Sequence, residues 1–198
     1  MKFKERLLQG TLIKRYKRFF VDINYKNKII TAHCPNSGSM MGLLKKGNKA
    51  WFSESNNPKR KLKYTLEIIE VEKKLIGINT LIANKIVHEA LNENKIKHLE
   101  KFIKKKSEAK FSDNTRFDFM LKNEKNKCFL EVKSVTLSRN KNVAEFPDAI
   151  TSRGTKHLNE LVVAIKKGFS SFILYLIQME SCESFKIASD IDPMYKKA

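Results

Sequence analysis

Three residues of this chain have the types and spacing to hydrolyse a phosphodiester: Asp118 in "RFDFML", and Glu131 and Lys133 in "FLEVKSV". Side chains alternate along a strand, so Phe129, Glu131, Lys133 and Val135 share one face, and Leu130, Val132 and Ser134 share the other. An exposed edge strand tolerates such charges, whereas a buried strand needs them paired or bound. In "RFDFML", Phe117 and Phe119 are predicted to point to one face and Asp118 to the other. Pairing of the two strands brings Asp118, Glu131 and Lys133 to one cleft, with Glu108 on the preceding strand within reach. Carboxylates from Asp118, Glu131 and Glu108 with the Val132 carbonyl make an all-oxygen site suited to Mg²⁺, completed by water and substrate phosphate. The lysine acts there as a point cation that orients a hydroxide attacking phosphorus. With 31% of the chain charged, a D-x12-E-x-K string also arises by chance. The competing reading is a solvated hairpin with an ion pair contributing about 0–1 kcal/mol.

The elements that must position these residues are legible as two blocks. Before residue 79, β-prone runs at Thr11 to Tyr16, Phe19 to Tyr25, Ile29 to His33, Ala50 to Ser53, Tyr64 to Val71 and Leu75 to Ile78 are separated by turn-forming stretches such as "CPNSGSMMG". Many short strands in so few residues predict a small barrel of the oligonucleotide-binding (OB) kind. From Asn79 the period changes. Ile82, Ile86 and Ala90, with the adjoining row Ala83, Val87 and Leu91, predict an amphipathic helix capped by Asn79 or Thr80. A Lys-rich connector at Lys101 to Lys106 precedes strands at Glu108 to Phe111, Arg116 to Lys122 and Cys128 to Val135. After a loop, Leu158, Leu161, Val162 and Ile165 predict the buried face of a second helix ending at Gly168, and "SSFILYLIQM" reads as a fully buried strand. Helix, three strands, helix, strand is an α/β arrangement.

Composition narrows the partners. The formal net charge is +19, and residues 1–78 hold 18 Lys+Arg against 6 Asp+Glu, a denser excess than in residues 79–198. The abundance of Lys, Asn and Ile together is also what an A/T-rich genome writes, so the uneven placement argues for a polyanionic partner more than the total does. Three cysteines without CxxC spacing indicate neither a disulfide framework nor a zinc knuckle and fit a reducing cytoplasm. The N-terminus lacks a signal-peptide apolar region and the longest apolar run is strand-length, so a soluble cytoplasmic protein without membrane association is expected.

Candidate nucleic-acid contacts lie in both blocks. Arg15, Lys17 and Arg18 alternate with Tyr16, Phe19 and Phe20, and Lys59, Arg60, Lys61 and Lys63 lie beside Tyr64. Cations along a backbone track with aromatics for stacking are what single strands need, although most of the Phe residues belong to cores. Arg153, Lys156 and His157 stand at i, i+3, i+4 on the second helix, as phosphate contacts at the cleft or as an ordinary solvated face. Glu89 is a second candidate for the further carboxylate. His88 reads as a surface or satisfied histidine, His33 and Cys34 point opposite ways, and Asp148 reads as a metal ligand or a loop cap.

The nuclease residue set on this element order resembles the PD-(D/E)xK, or restriction-endonuclease-like, fold. Further motifs, "LIKRYKRFFVDI", "HCPNSGSM", "INTLIAN", "FPDAITSRGTKHLNEL" and "DIDPMY", resemble the bacterial sugar fermentation stimulation protein A family in nearly unbroken order from residue 9 to residue 195. The resemblance implies an OB-like DNA-binding domain over residues 1–78 and a nuclease-like α-β-β-β-α-β domain over residues 79–198. It carries the nuclease roles onto Asp118, Glu131 and Lys133, with Glu108 as the further metal carboxylate. Family members continue past "DIDPMY" through another helix and strand, so a C-terminally shortened domain is expected. Two functions follow: a Mg²⁺-dependent deoxyribonuclease, or a non-catalytic DNA-binding regulator affecting sugar (maltose) metabolism. Single- and double-stranded DNA are both open as partner, and RNA serves the same grooves.

Overall fold

The structure is a computed structural model that describes residues 2–3, 5–180 and 182–198. Six strands form the first sheet: β1 (Leu8–Tyr16), β2 (Phe20–Tyr25), β3 (Lys28–His33), β4 (Lys49–Glu54), β5 (Tyr64–Val71) and β6 (Lys74–Gly77). Parallel pairing of β3 with β5 closes an otherwise antiparallel sheet in the order β1-β2-β3-β5-β4-β1, and β6 adds to β5. This is a five-stranded OB-like barrel. Alternation sends Leu12, Val21, Ile23, Ala32, Phe52, Leu66 and Ile69 to its interior, each fully buried. Two-residue turns at Lys26-Asn27 and Glu72-Lys73 take positive φ at both positions, matching the twist of the flanking strands. At Gly10 a Cβ would lie 2.6 Å from the Asn24 carbonyl oxygen, so the close approach of β1 to β2 requires glycine there.

After a 3₁₀ turn (Thr80–Ile82), the chain forms α1 (Ala83–Asn92), β7 (Lys104–Ser112), β8 (Thr115–Lys122), β9 (Lys127–Val135), β10 (Leu137–Asn140), β11 (Val143–Phe146), α2 (Ser152–Lys166), β12 (Ser170–Ile177), β13 (Ser184–Ile187) and α3 (Pro193–Lys197). Strands β12-β9-β8-β7 form one sheet in that order, and β10-β11-β13 form another. Ala83, Val87 and Leu91 of α1 pack with Phe119, Leu121, Cys128, Leu130 and Val132 on one side of the four-stranded sheet. Leu161 and Ala164 of α2 pack with Ala109, Phe117 and Phe129 in a separate core.

The contacts gather the chain into two compact units: Met1–Leu81, Val135–Ala149 and Ile177–Ala188 in the first, and Ile82–Ser134, Ile150–Leu176 and Ser189–Ala198 in the second. This interleaving differs from a contiguous division at residues 78 and 79. The reason is that β11 and β13 pair in parallel across some forty residues of chain and belong to the barrel's unit. In that unit the backbone N–H of Gly77 donates to the Gln178 carbonyl at 2.8 Å.

Four local expectations are corrected. Lys104 to Lys106, expected in a connector, lie on β7, whose edge position leaves these lysines partly or largely in solvent. The segment after Val135, expected as loop, holds β10 and β11. The strand expected to be fully buried, β12, is an edge strand with no fully buried side chain, and Phe172 is 38% exposed. The inward face of α2 is Gly154, His157, Leu161 and Ala164, whereas Val162 and Ile165 are exposed. Small residues at 154 and 164 let that face approach its neighbours closely, and a polar contact draws His157 inward.

Candidate functional site

Asp118 stands where the hairpin of β7 and β8 departs from regular pairing. Ser107 pairs with Phe119 and Ala109 with Phe117, while Glu108 between them takes φ +50. The ladder of β8 with β9 begins only at Phe119 with Leu130. An irregularity of this kind re-aims side chains. Phe117 joins the α2 core and Phe119 the α1 core, rather than sharing the face predicted for both. In place of a backbone ladder bond, Asp118 Oδ2 accepts the Val132 N–H at 2.7 Å, and Oδ1 accepts from Asn84 Nδ2 at 2.7 Å. Burial, and then the nearby Glu131 charge, push the Asp118 carboxyl above the ordinary carboxylate range.

Glu131 is 4% exposed, so its strand is of the buried kind that must pair its charges. Lys133 Nζ donates to Glu131 Oε1 at 2.7 Å, and His157 Nδ1 of α2 contacts the same oxygen. Burial alone would raise this carboxyl; the bonds from His157 and Lys133 outweigh it and hold Glu131 below its usual range. The other oxygen, Oε2, is buried and has no hydrogen-bond partner among the described residues. Tyr195, 2% exposed, bonds to Tyr175 through their hydroxyls at 2.9 Å, and burial raises its pKa. The "DIDPMY" segment thereby anchors α3: Asp192 accepts from the N–H groups of Tyr195 at 2.9 Å and of Thr151 at 2.8 Å, at the head of α2.

The cleft beside Asp118, of about 440 Å³, is lined by Glu108, Arg153, Lys156 and His157 among others. Glu108 and Asp118 therefore share a cavity, although Glu108 itself is exposed. Arg153 and Lys156 are exposed on its flank, and Lys156 Nζ reaches the Asn114 carbonyl at 3.2 Å. A second cleft on Asp118 and Glu108 is bordered by Asn84, Lys85 and His88 of α1 rather than by Glu89. Among the described residues, no three His, Cys, Asp or Glu side chains are grouped so as to hold a metal ion by themselves. The donors present still fit a hard divalent cation: a buried carboxylate oxygen lacks a partner, and a second carboxylate is near enough to repel it. Sequence reasoning placed His157 with the phosphate contacts. Its contact with Glu131 is a tertiary fact that helix periodicity does not encode.

The cations of the barrel divide by what already engages them. The Arg15 guanidinium donates to the carbonyls of Asn36 at 2.6 Å and Gly38 at 2.9 Å, so it holds the "PNSGSM" loop. Lys63 pairs with Glu54 at 2.6 Å and Arg60 donates to Thr65 Oγ1 at 3.0 Å. Lys17, Arg18, Lys59 and Lys61 are exposed, and Phe19, 43% exposed, lies against His33. Cys34 is buried, which raises its thiol pKa. Asp148 accepts from Met40 N–H at 3.1 Å, while its carbonyl accepts the Ser39 hydroxyl at 2.6 Å. It is a loop cap.

No helix among the described residues is long and apolar enough to cross a membrane. Residues 13–78 match the family described as "SfsA N-terminal OB domain", and residues 81–198 match "Sugar fermentation stimulation protein RE domain". The chain is 53% identical over 195 residues to the sugar fermentation stimulation protein homolog of Pelagibacter ubique, covering 98% of this chain and 84% of that relative. With the homolog of Maricaulis maris it shares 43% identity over 199 residues, covering 100% of this chain and 85% of the relative. A solved structure titled "The structure of Pyrococcus Furiosus SfsA in complex with Ca2+" has the same fold, with a TM-score of 0.89 at 24% identity, covering 100% of this chain and 83% of that one. On both family matches and on these identities, the chain belongs to the sugar fermentation stimulation protein family.

Proposed function

We propose that this protein binds DNA and cleaves its phosphodiester bonds at Asp118, Glu131 and Lys133 with the help of a divalent cation. The observation that carries the reading is the buried, unpartnered Oε2 of Glu131 beside Asp118, with the Lys133 ammonium fixed 2.7 Å from the companion oxygen. Burying a carboxylate oxygen without a partner is costly, a cost that a bound cation would offset. Asp118 and Glu131 would hold the cation, with Glu108 as the further carboxylate at the cleft. Such a cation supplies Lewis-acid stabilisation of charge on a phosphate. Lys133, held by Glu131, orients the attacking water and stabilises its developing negative charge. Arg153 and Lys156 border the cleft where the polyanion backbone would run, and Lys17, Arg18, Lys59 and Lys61 add to binding on the barrel. The relative whose title records bound Ca²⁺ shares this fold, which lends support to a cation in this one.

A non-catalytic DNA-binding role is the second reading. Both Asp118 oxygens and Glu131 Oε1 already accept bonds from protein donors, an arrangement that suits an idle site. Purified protein incubated with Mg²⁺ or Mn²⁺ on single-stranded, duplex and branched DNA separates the two. Cleavage that disappears in Asp118→Asn and Lys133→Met supports the enzyme. Salt-dependent binding that persists in chelator with every substrate intact supports the regulator.

A further inference from the structure

A third, unassigned concavity lies along the β7–β9 strands in the second unit. It encloses about 310 Å³ and brings Lys106, Lys110, Lys127 and Lys167 around Phe111, Phe129 and Phe169. Among the described residues, no carboxylate lines it. Lys110 is paired with Asp113 at 2.7 Å, whereas Lys106, Lys127 and Lys167 are exposed on the rim. The floor is aromatic and angular. Phe111 meets Phe129 edge-on with centroids 5.1 Å apart, and Phe129 meets Phe169 at 5.4 Å and 83°. Lys167 Nζ stands 5.1 Å from the centre of the Phe111 ring.

Phe111 and Phe169 are only half-buried, so ring surface opens into the cavity between the ammonium groups. We infer that this pocket binds an unpaired nucleotide of a single-stranded nucleic acid, the base against Phe111 and Phe169 and the flanking phosphates on Lys106, Lys127 and Lys167. Cations alone would suit any polyanion. A π-faced recess among them suits a flat, anionic-backboned ligand whose base is free of its partner strand. The inference rests on the nucleic-acid reading above but uses none of the residues of the cleft at Asp118.

The test compares three probes by fluorescence anisotropy on the full chain: labelled oligothymidylate, an abasic oligomer of equal length, and oligouridylate. The parent should bind the abasic oligomer about tenfold more weakly than oligothymidylate, the loss expected when stacking is removed. Phe111→Leu, which keeps an apolar side chain, should narrow that gap. The triple variant Lys106→Gln/Lys127→Gln/Lys167→Gln should flatten the slope of log affinity against log salt by about two for a single strand. Unchanged circular dichroism verifies folding of each variant. Oligouridylate showing the same base dependence assigns the pocket to unpaired nucleotides of either sugar, and base dependence confined to oligothymidylate assigns it to DNA. Variants that match the parent, while the parent binds tightly and Lys59→Gln/Lys61→Gln weakens it, overturn this pocket and leave the nucleic-acid reading standing. A parent that binds no probe overturns this pocket, and one that binds no duplex DNA either overturns both.

Discussion

Lys133 and His157 converge on the same oxygen of Glu131, one from β9 and the other from α2, and leave the second oxygen buried without a partner. A carboxylate fixed through one oxygen presents the other in a defined direction. That asymmetry is what the proposed cation-binding role of Glu131 requires.

The Glu131–Lys133 pair should be costly to break from one side. Lys133→Met leaves Glu131 charged and buried, and urea melts should show a loss of about 3 kcal/mol. Adding Glu131→Gln to that variant should recover much of the stability and none of the cation binding. A double variant as unstable as the single one would show that the two charges are not coupled.

At Asp118 the expected effect is opposite in sign. Its folded pKa is raised, so the native state holds the proton to higher pH than the unfolded chain, and stability declines as pH climbs through the folded value. Asp118→Asn should therefore raise the melting temperature of the cation-free protein at neutral pH, with the gain vanishing in acid. Added Mg²⁺ or Ca²⁺ should stabilise the parent by about 2.7 kcal/mol at a hundredfold excess over Kd and leave the variant unmoved. Equal thermal shifts in both proteins would place the ion elsewhere.

Glu145 should make the first unit sensitive to acid. It is 0% exposed and tied to Arg139 by side-chain bonds at 2.9 and 2.8 Å and to Lys186 at 3.1 Å. The Arg139 guanidinium, in the main, depresses its pKa from 4.5 to about 2. A depressed carboxyl contributes stability above its unfolded pKa and loses it as pH falls toward the folded one. Glu145→Gln should cost about 3 kcal/mol at pH 7 and flatten the stability profile between about 4.5 and about 2. Chemical denaturation at several pH values reads both effects.

Gly38 faces the Asp148 carboxylate so closely that an added Cβ would lie 2.3 Å from Oδ2. Gly38→Ala should destabilise the protein by about 1–3 kcal/mol as the loop and the carboxylate move apart. Combined with Asp148→Ala, the total should fall below the sum of the single effects, a coupling that thermal melts of the four proteins resolve. Strict additivity would refute the steric account.

The parts of this architecture that are local in sequence were legible there. Alternating strands with turn residues between them announce the barrel, and Asp118, Glu131 and Lys133 are recognisable because charges stand inside apolar strand runs. What escaped depends on distant chain segments. Strands β10, β11 and β13 are four residues each, with too few positions to display a period, and β11 exists through its parallel partner. The inward turn of His157 depends on Glu131, twenty-six residues away. The separation of Phe117 from Phe119 into different cores breaks the strand alternation that predicts a shared face for them.

The threading of the chain back and forth between its two units makes excision by simple truncation self-defeating. A fragment ending at Gly77 would strip Ser39 and Met40 of Asp148, and Gly77 of Gln178. Its barrel would be born with backbone and hydroxyl groups that only later stretches of the polypeptide can cover. Translation must pass Gln178 before the first module can complete its own hydrogen bonding.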